Sequence, residues 1–443
     1  MQIIKKIIVW TLTLESRLIL AKYKPFIVAV TGSVGKTATK DAIYSVLKGF
    51  APAGEAGAGE IRRSEKSFNS EFGLPLTIIG VPTAWRSIAG WMRNIGSGLR
   101  VILDHGSYPK CLILEIGADH PGDIKKAVKW LHPDIAVINR VSDLPVHVEF
   151  FKSPEQVFEE KAALAGGIKK GGTLVLYADD AKVIALAGKA AERGASAITF
   201  GTDETASVRG SDCEISYENG APIGFSFKLQ MDGNSVPITV RHVIGKTFMY
   251  PLLAASAVAK ARGMSVNAIV NGLNAYEAPK GRMNIISGLN GSTIIDDTYN
   301  SSPDAASAAL KTLNETHVSG KKIAILGDMM ELGKYSADEH RKIGREAAAI
   351  LGASGVLVTI GLRSKATAEE AVKDGMPVTS VHQFGSSDEA AAFVPGIVQS
   401  GDLILVKGSQ SPRVERVTRA LMREPARAAE LLVRQEKEWL EKK

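Results

Sequence analysis

The chain is poor in cysteine. Cys111 and Cys213 are the only two in 443 residues, too few for a disulfide framework, and they fit a reducing, cytoplasmic setting. Aromatic residues make up only 6%. None are interleaved with a basic stripe, so a nucleic-acid surface is not expected despite a net charge of +7. Long apolar runs are also missing near the start. The longest uncharged stretch there, Ile7 to Leu14, falls well short of the roughly 20 residues a membrane span needs. No small-residue cleavage site follows it, which argues against a signal peptide. There are no internal repeats.

What remains is an ordinary globular composition, 45% hydrophobic and 23% charged, long enough for two or three domains. Residues 1–24 read as an amphipathic helix that either packs on the neighbouring domain or lies on a membrane surface. From Phe26 onward, apolar strand-like runs alternate with helical patterns, the signature of an α/β fold. Strands are expected at Phe26–Val30, Cys111–Glu115, Ile135–Ile138 and Thr173–Tyr177, with helices at Pro154–Gly166 and Ala181–Arg193. Between Ser207 and Val243, short alternating segments separated by Asn-Gly and Asp-Gly predict an antiparallel patch that ends a mostly parallel sheet. Alanine-rich helices follow at Tyr250–Arg262 and Val266–Leu273. Ala278-Pro-Lys-Gly281 reads as a hinge. A second, Rossmann-like pattern then begins, with strands at Thr293–Asp296, Lys322–Leu326, Gly355–Thr359 and Leu403–Val406 and a charged, helix-prone tail. The expected domains are 25–278 and 279–443. Gly54–Gly59 reads as a mobile loop.

The strongest chemical signal is Thr31-Gly-Ser-Val-Gly-Lys-Thr37, set between a strand and a helix start. Gly32 and Gly35 allow a tight turn whose N–H groups, with those of Ser33 and Val34, can cradle phosphate at a helix N-terminus. Lys36 would reach the outer phosphates of ATP and the Thr37 hydroxyl would hold Mg²⁺. The spacing is TGxxGKT, because Val30 stands where the longer GxxxxGK(S/T) motif has its first glycine. Glu115 ends a strand beside a glycine, at the end of a parallel sheet where ligands bind, and could serve as a Mg²⁺ ligand or as a surface acid. Asp119 and His120 follow in the same loop. His147 is either a surface histidine or a ligand, and Lys161, on a helix, reads by itself as an exposed cation.

These strings, with Ser67-Phe-Asn-Ser-Glu-Phe-Gly-Leu-Pro-Leu76, resemble the Mur ligases, the ATP-dependent amide-bond ligases of peptidoglycan synthesis. The likeness continues through Gly281-Arg282, Ile294-Ile-Asp-Asp-Thr-Tyr-Asn-Ser-Ser-Pro-Asp304, Ile325-Leu-Gly-Asp-Met-Met-Glu-Leu-Gly333 and Val406-Lys-Gly-Ser409. It covers residues 25–420 in order and points to a member that adds D-alanyl-D-alanine to a muramoyl tripeptide. The resemblance implies a P-loop central ATPase domain and two Mg²⁺ ions, with Thr37, Glu115, His147 and a carbamylated Lys161 as metal ligands. Lys36, Lys161, His147 and Glu115 would be the catalytic set. Arg282, Asp296 and Asn300 would face the nucleotide, and Asn69, Ser70, Asp328, Glu331, Lys407 and Ser409 the other substrates. A monomer is expected.

Two departures from the family pattern stand out. Only about 25 residues precede the phosphate-loop strand, where the family has a domain that grips the UDP end of its substrate. And Gly245-Lys-Thr-Phe-Met-Tyr-Pro251 replaces a family GxHNxxN, so Thr247, Phe248 and Pro251 stand where polar adenine contacts belong. Phe248 or Tyr250 could stack on adenine instead, or simply cover core. These departures keep two alternatives open: a related ligase with another carboxylate and amine, or a nucleotide-binding scaffold without catalysis.

Overall fold

Among the described residues, fifteen strands form two sheets. The computed structural model describes residues 2–50, 60–64, 72–85, 87–142 and 148–441. The first sheet contains β1 (Phe26–Thr31), β2 (Ile61–Arg63), β3 (Cys111–Glu115), β4 (Ile135–Ile138), β5 (Thr173–Tyr177), β6 (Ser196–Gly201), β7 (Val208–Glu218), β8 (Ala221–Met231) and β9 (Asn234–Arg241). Its order is β2-β3-β1-β4-β5-β6-β7-β8-β9, parallel up to β7 and antiparallel beyond it. The second contains β10 (Asn284–Ser287), β11 (Thr293–Asp297), β12 (Lys322–Gly327), β13 (Val356–Ile360), β14 (Val381–Phe384) and β15 (Leu403–Lys407), in the order β10-β11-β15-β12-β13-β14. Only β10 runs antiparallel in it.

The central strands are buried on both faces, which is why β1, β3 and β4 read as unbroken apolar runs. Their order reverses around β1, so the crevice at their carboxyl ends is the natural ligand site of such a sheet. Register places Val30 opposite Glu115 and Thr31 opposite Ile138, so the chemistry-bearing ends line up.

The helices of this first half include α1 (Gln2–Tyr23), α2 (Lys36–Leu47), α3 (Gly73–Ile79), α4 (Ile88–Leu103), α5 (Asp123–Leu131) and α6 (Pro154–Gly166), and later Met249–Ala261 and Val266–Asn274. α1 packs against α3 and α4 on one side and leaves Ile4, Ile7, Trp10, Leu14 and Leu18 exposed on another. The sequence reading names no element between Leu76 and Cys111, and α4 fills much of that interval. The single helix expected at Ala181–Arg193 is broken into Ala181–Ile184 and Ala187–Glu192. There the backbone tightens to i→i+3 bonds from the N–H groups of Leu186 and Lys189. The charged tail forms only the short helices Ala428–Leu431 and Lys437–Leu440.

Candidate functional site

The turn from β1 into α2 is braced from three sides. Thr31 is buried and its hydroxyl donates to the Ile116 carbonyl at 2.9 Å, tying β1 to the segment after β3. The Ser33 N–H donates to the Arg140 carbonyl at 2.9 Å. The Asn139 side chain, one residue past β4, donates to Thr39 Oγ1 at 2.9 Å and to the Val34 carbonyl at 3.4 Å. Gly32 (φ 148°) passes so close to this residue that a Cβ would sit 2.7 Å from Asn139 Cβ. Gly35, in the left-handed region at φ 80°, is the N-cap of α2. The result is a rigid run of loop N–H groups at a helix start, the geometry that favours anions. The Ser33 hydroxyl is buried there without a hydrogen-bond partner.

Two lysines meet at one atom of this loop. Lys36 Nζ donates to the Gly32 carbonyl at 2.9 Å and Lys161 Nζ to the same oxygen at 3.1 Å. The Thr37 hydroxyl donates to Glu115 Oε2 at 3.0 Å, and Glu115 is itself buried. Lys161 is not the exposed cation that its helix alone suggests: it is only 4% exposed. α6 brings it inward, starting at Pro154 with the Ser153 hydroxyl accepting from the Gln156 N–H. The preceding residue, Glu160, turns to the start of α5 and accepts from the N–H groups of Gly122 (2.8 Å), Ile124 (2.7 Å) and Lys125 (3.1 Å).

Burial lowers the Lys161 pKa to about 7; the Lys36 charge adds to this, while Asp119 and Glu160 partly oppose it. Burial also lowers the Lys36 pKa, Arg282 reinforcing the shift and Glu115 and Asp119 opposing it. Among the described residues, no three His, Cys, Asp or Glu side chains group to hold a metal ion. The oxygens of Thr37 and Glu115 nonetheless suit Mg²⁺, which usually takes one or two carboxylates and completes its shell with water and substrate phosphates. Lys161 as an amine offers no oxygen donor.

Across from this wall, the second sheet supplies the other side of a cleft of about 350 Å³. Ser33 to Thr37, Glu115 and Asp119 line one side; Arg282, Asn300, Glu331 and Ser409 line the other. The Arg282 guanidinium lies over the Tyr299 ring, 4.2 Å from its centroid. Ser409 Oγ accepts from the Met330 N–H at 3.0 Å, and Glu331 is held in the left-handed region at φ 64°. An Arg140–Asp304 ion pair at 3.3 Å spans the two lobes.

Several expected residues do other work. Strand alternation sends Asp296 and Asp297 to opposite faces of β11. Asp296 is fully buried, accepts from Thr418 Oγ1 at 3.0 Å, is pushed up to about 7 by burial, and does not line the cleft. Lys407 is buried in an ion pair with Asp297 at 2.5 Å and also bonds the Asn300 carbonyl at 3.0 Å, so its amine is tied inside the lobe. Asp328 accepts from the Ser364 N–H at 2.7 Å and braces a turn. Phe248 is core, and Tyr250 stands edge-on to Tyr177 with centroids 5.1 Å apart, contacts that fit the covering role. His147, Asn69, Ser70 and the Gly54–Gly59 loop lie outside the described residues. Two positioning residues were not singled out from sequence, Asn139 and Glu160. Asn139 had a signal, since it follows an apolar strand much as Glu115 ends one.

Comparison with known proteins agrees with this geometry. Residues 98–259 match the Mur ligase middle domain, and residues 281–410 the Mur ligase glutamate ligase domain. The chain is 30% identical over 413 residues to the UDP-N-acetylmuramoyl-tripeptide–D-alanyl-D-alanine ligase of Mycobacterium tuberculosis, covering 89% of this chain and 72% of that one. It is 26% identical over 401 residues to the ligase of the same name from Bacillus subtilis, covering 90% and 76%. In fold it resembles the MurF ligase of Thermotoga maritima solved in complex with ADP, with a TM-score of 0.73, 24% identity, and 95% and 84% coverage. It also resembles MurF from Acinetobacter baumannii, with a TM-score of 0.73, 23% identity, and 92% and 79% coverage. The braced phosphate loop, the paired lysines and the two-lobed cleft are thus set in a chain that belongs to the Mur ligase family.

Proposed function

We propose that this chain joins D-alanyl-D-alanine to a UDP-N-acetylmuramoyl tripeptide at the expense of ATP, acting as a monomer in the cytoplasm. One observation carries the reading: Lys36, Thr37 and Glu115 line one wall of a single cleft and face Arg282 and Asn300 across it, with Lys161 buried behind that wall on the carbonyl that Lys36 also bonds. The names of the curated relatives supply the substrates.

The chemistry follows from charge. A carboxylate oxygen of the tripeptide attacks the γ-phosphorus of ATP, ADP leaves, and an acyl phosphate forms. The dipeptide amine adds to its carbonyl carbon, gives up a proton, and inorganic phosphate departs as the amide closes. Negative charge crowds together in the first step, and the protein's task is to place and neutralise it. Lys36 and the loop N–H groups do so from one wall and Arg282 from the other. When bound, Mg²⁺ would supply further neutralisation, held by Thr37 and Glu115. Lys161 suits conversion to a carbamate. Its amine, with a pKa lowered to about 7, is partly uncharged at pH 7, and that form can add to CO₂ and lose a proton, which gives two oxygen donors where the free amine has none. His147 would join that ligand set.

The test is phosphate release from ATP. It should require both the tripeptide precursor and the dipeptide together, and amide product should appear in equal amount. If neither the dipeptide nor any amino acid stimulates turnover, this activity is wrong. If a different pair stimulates it, the ligase chemistry stands with other substrates.

A further inference from the structure

We propose that α1 and α4 together form a face that lies on the surface of a bilayer rich in anionic phospholipid. The inference is independent of the ligase reading, because neither helix lines the catalytic cleft.

Ten of the fifteen exposed large apolar side chains among the described residues belong to α1, α4 or the residue Trp85 shortly before α4. On α1 they are Ile4, Ile7, Trp10, Leu14 and Leu18, spaced to form one stripe. On α4 they are Ile88, Met92, Leu99 and Leu103, again on one stripe. Exposure runs from 39% at Leu14 to 74% at Leu103, so neither stripe is covered by the other described residues.

The two helices run parallel. Glu15 packs against Gly98, where an added Cβ would fall on its carboxylate. Further along, the Tyr23 hydroxyl donates to the Val101 carbonyl at 3.0 Å, and Lys22 donates to the carbonyls of Ile102 and Asp104. With about 100° of turn per residue and the seam fixed at Glu15 and Gly98, both stripes face the same side, away from the core.

Charge decides the occupant. The two helices carry Lys5, Lys6, Arg17, Lys22, Arg93 and Arg100, and Glu15, their only acid, is buried in the seam. On the helical wheel Lys6 and Arg17 flank the outer side of the α1 stripe. Arg93 and Arg100 flank the outer side of the α4 stripe. A broad apolar band edged by cations, with exposed Trp10 in it, is the pattern of an element resting at the headgroup level of an anionic leaflet. It is not a span: no helix among the described residues is long and apolar enough to cross a bilayer. A second copy of the chain fits less well, since it would bring like cations together.

The test is co-sedimentation of the full chain with vesicles. Phosphatidylcholine vesicles containing about one third phosphatidylglycerol should carry the protein down, pure phosphatidylcholine should not, and added salt should release it. A Trp10→Ser/Leu99→Ser variant should lower the bound fraction about tenfold, as should Lys6→Glu/Arg93→Glu. Both should keep the melting temperature and ATP turnover of the parent, which separates a lost surface from a lost fold. No binding to either vesicle overturns the proposal. Equal binding to both overturns its electrostatic half. A concentration-dependent dimer that the same substitutions dissolve assigns the face to a second copy and overturns it altogether.

Discussion

Two buried lysines, one in each lobe, show how the same side chain is put to opposite uses. Lys161 and Lys407 are both almost fully buried, and both donate to a backbone carbonyl. Lys407 also has Asp297 at 2.5 Å. Lys161 has no carboxylate within ion-pair distance among the described residues; Asp119 and Glu160 act on it only from further away. Burial lowers the pKa of both, but only Lys407 has a bonded anion, Asp297, that opposes the shift. Lys407 is therefore a strut between β15 and the segment after β11. Lys161 has its pKa lowered to about 7 and so is partly uncharged at neutral pH. A buried lysine becomes chemically useful where its counter-ion is withheld.

The sharpest way to break this comparison is to remove Lys161. Lys161→Met should lower ligase turnover about a hundredfold or more while the fold survives, measured as phosphate release beside a thermal melt. Unchanged turnover would remove it from the chemistry. Lys407→Met should instead unfold the chain more readily, by about 3–5 kcal/mol in denaturant titration, because Asp297 is left buried and unpaired. Pairing it with Asp297→Leu should recover much of that loss.

The third test is pH. The Lys161 pKa is lowered from 10.5 to about 7 on folding, so between those values the unfolded chain holds the proton and the folded chain does not. Stability should therefore rise with pH across that window. In EDTA and CO₂-free buffer, Lys161→Met should be the more stable protein at pH 7, with the gap closing toward pH 10. Glu15 provides the mirror image. Its buried carboxyl, with both oxygens unpartnered, is raised by desolvation from 4.5 to about 7. Its contribution is intact below pH 4.5 and lost as pH rises through 7, so Glu15→Gln should match the parent at pH 4 and exceed it at pH 8. The smallest effect should come from the half-exposed Arg140, whose ion pair with Asp304 is worth less than about 1 kcal/mol. Arg140→Ala should barely move the melt.

Much of this was legible in the sequence where local rules suffice. Buried parallel strands advertise themselves as apolar runs, and β3, β4 and β5 begin and end where those runs do. Glycine spacing marked the phosphate loop. Lys161 could be named only through resemblance, because its burial depends on α6 docking against residues far away in the chain. Asp296, Asp328 and Lys407 sit in strings that look functional, yet strand alternation and backbone capping turn them into supports; one residue decides which face a side chain takes. α4 was missed because its apolar side looks outward, so its pattern reports a surface and not the core.

The oxygen of Gly32 holds two amines at once. When an incoming triphosphate draws Lys36 off, the oxygen is left to Lys161 alone, and the positive neighbour that depresses it has been neutralised. In the enzyme whose Lys161 is not yet carbamylated, arrival of the nucleotide would then raise the proton affinity of the second amine. Substitutions at 36 and 161 should consequently be non-additive, each altering the proton affinity of the site that the other leaves behind.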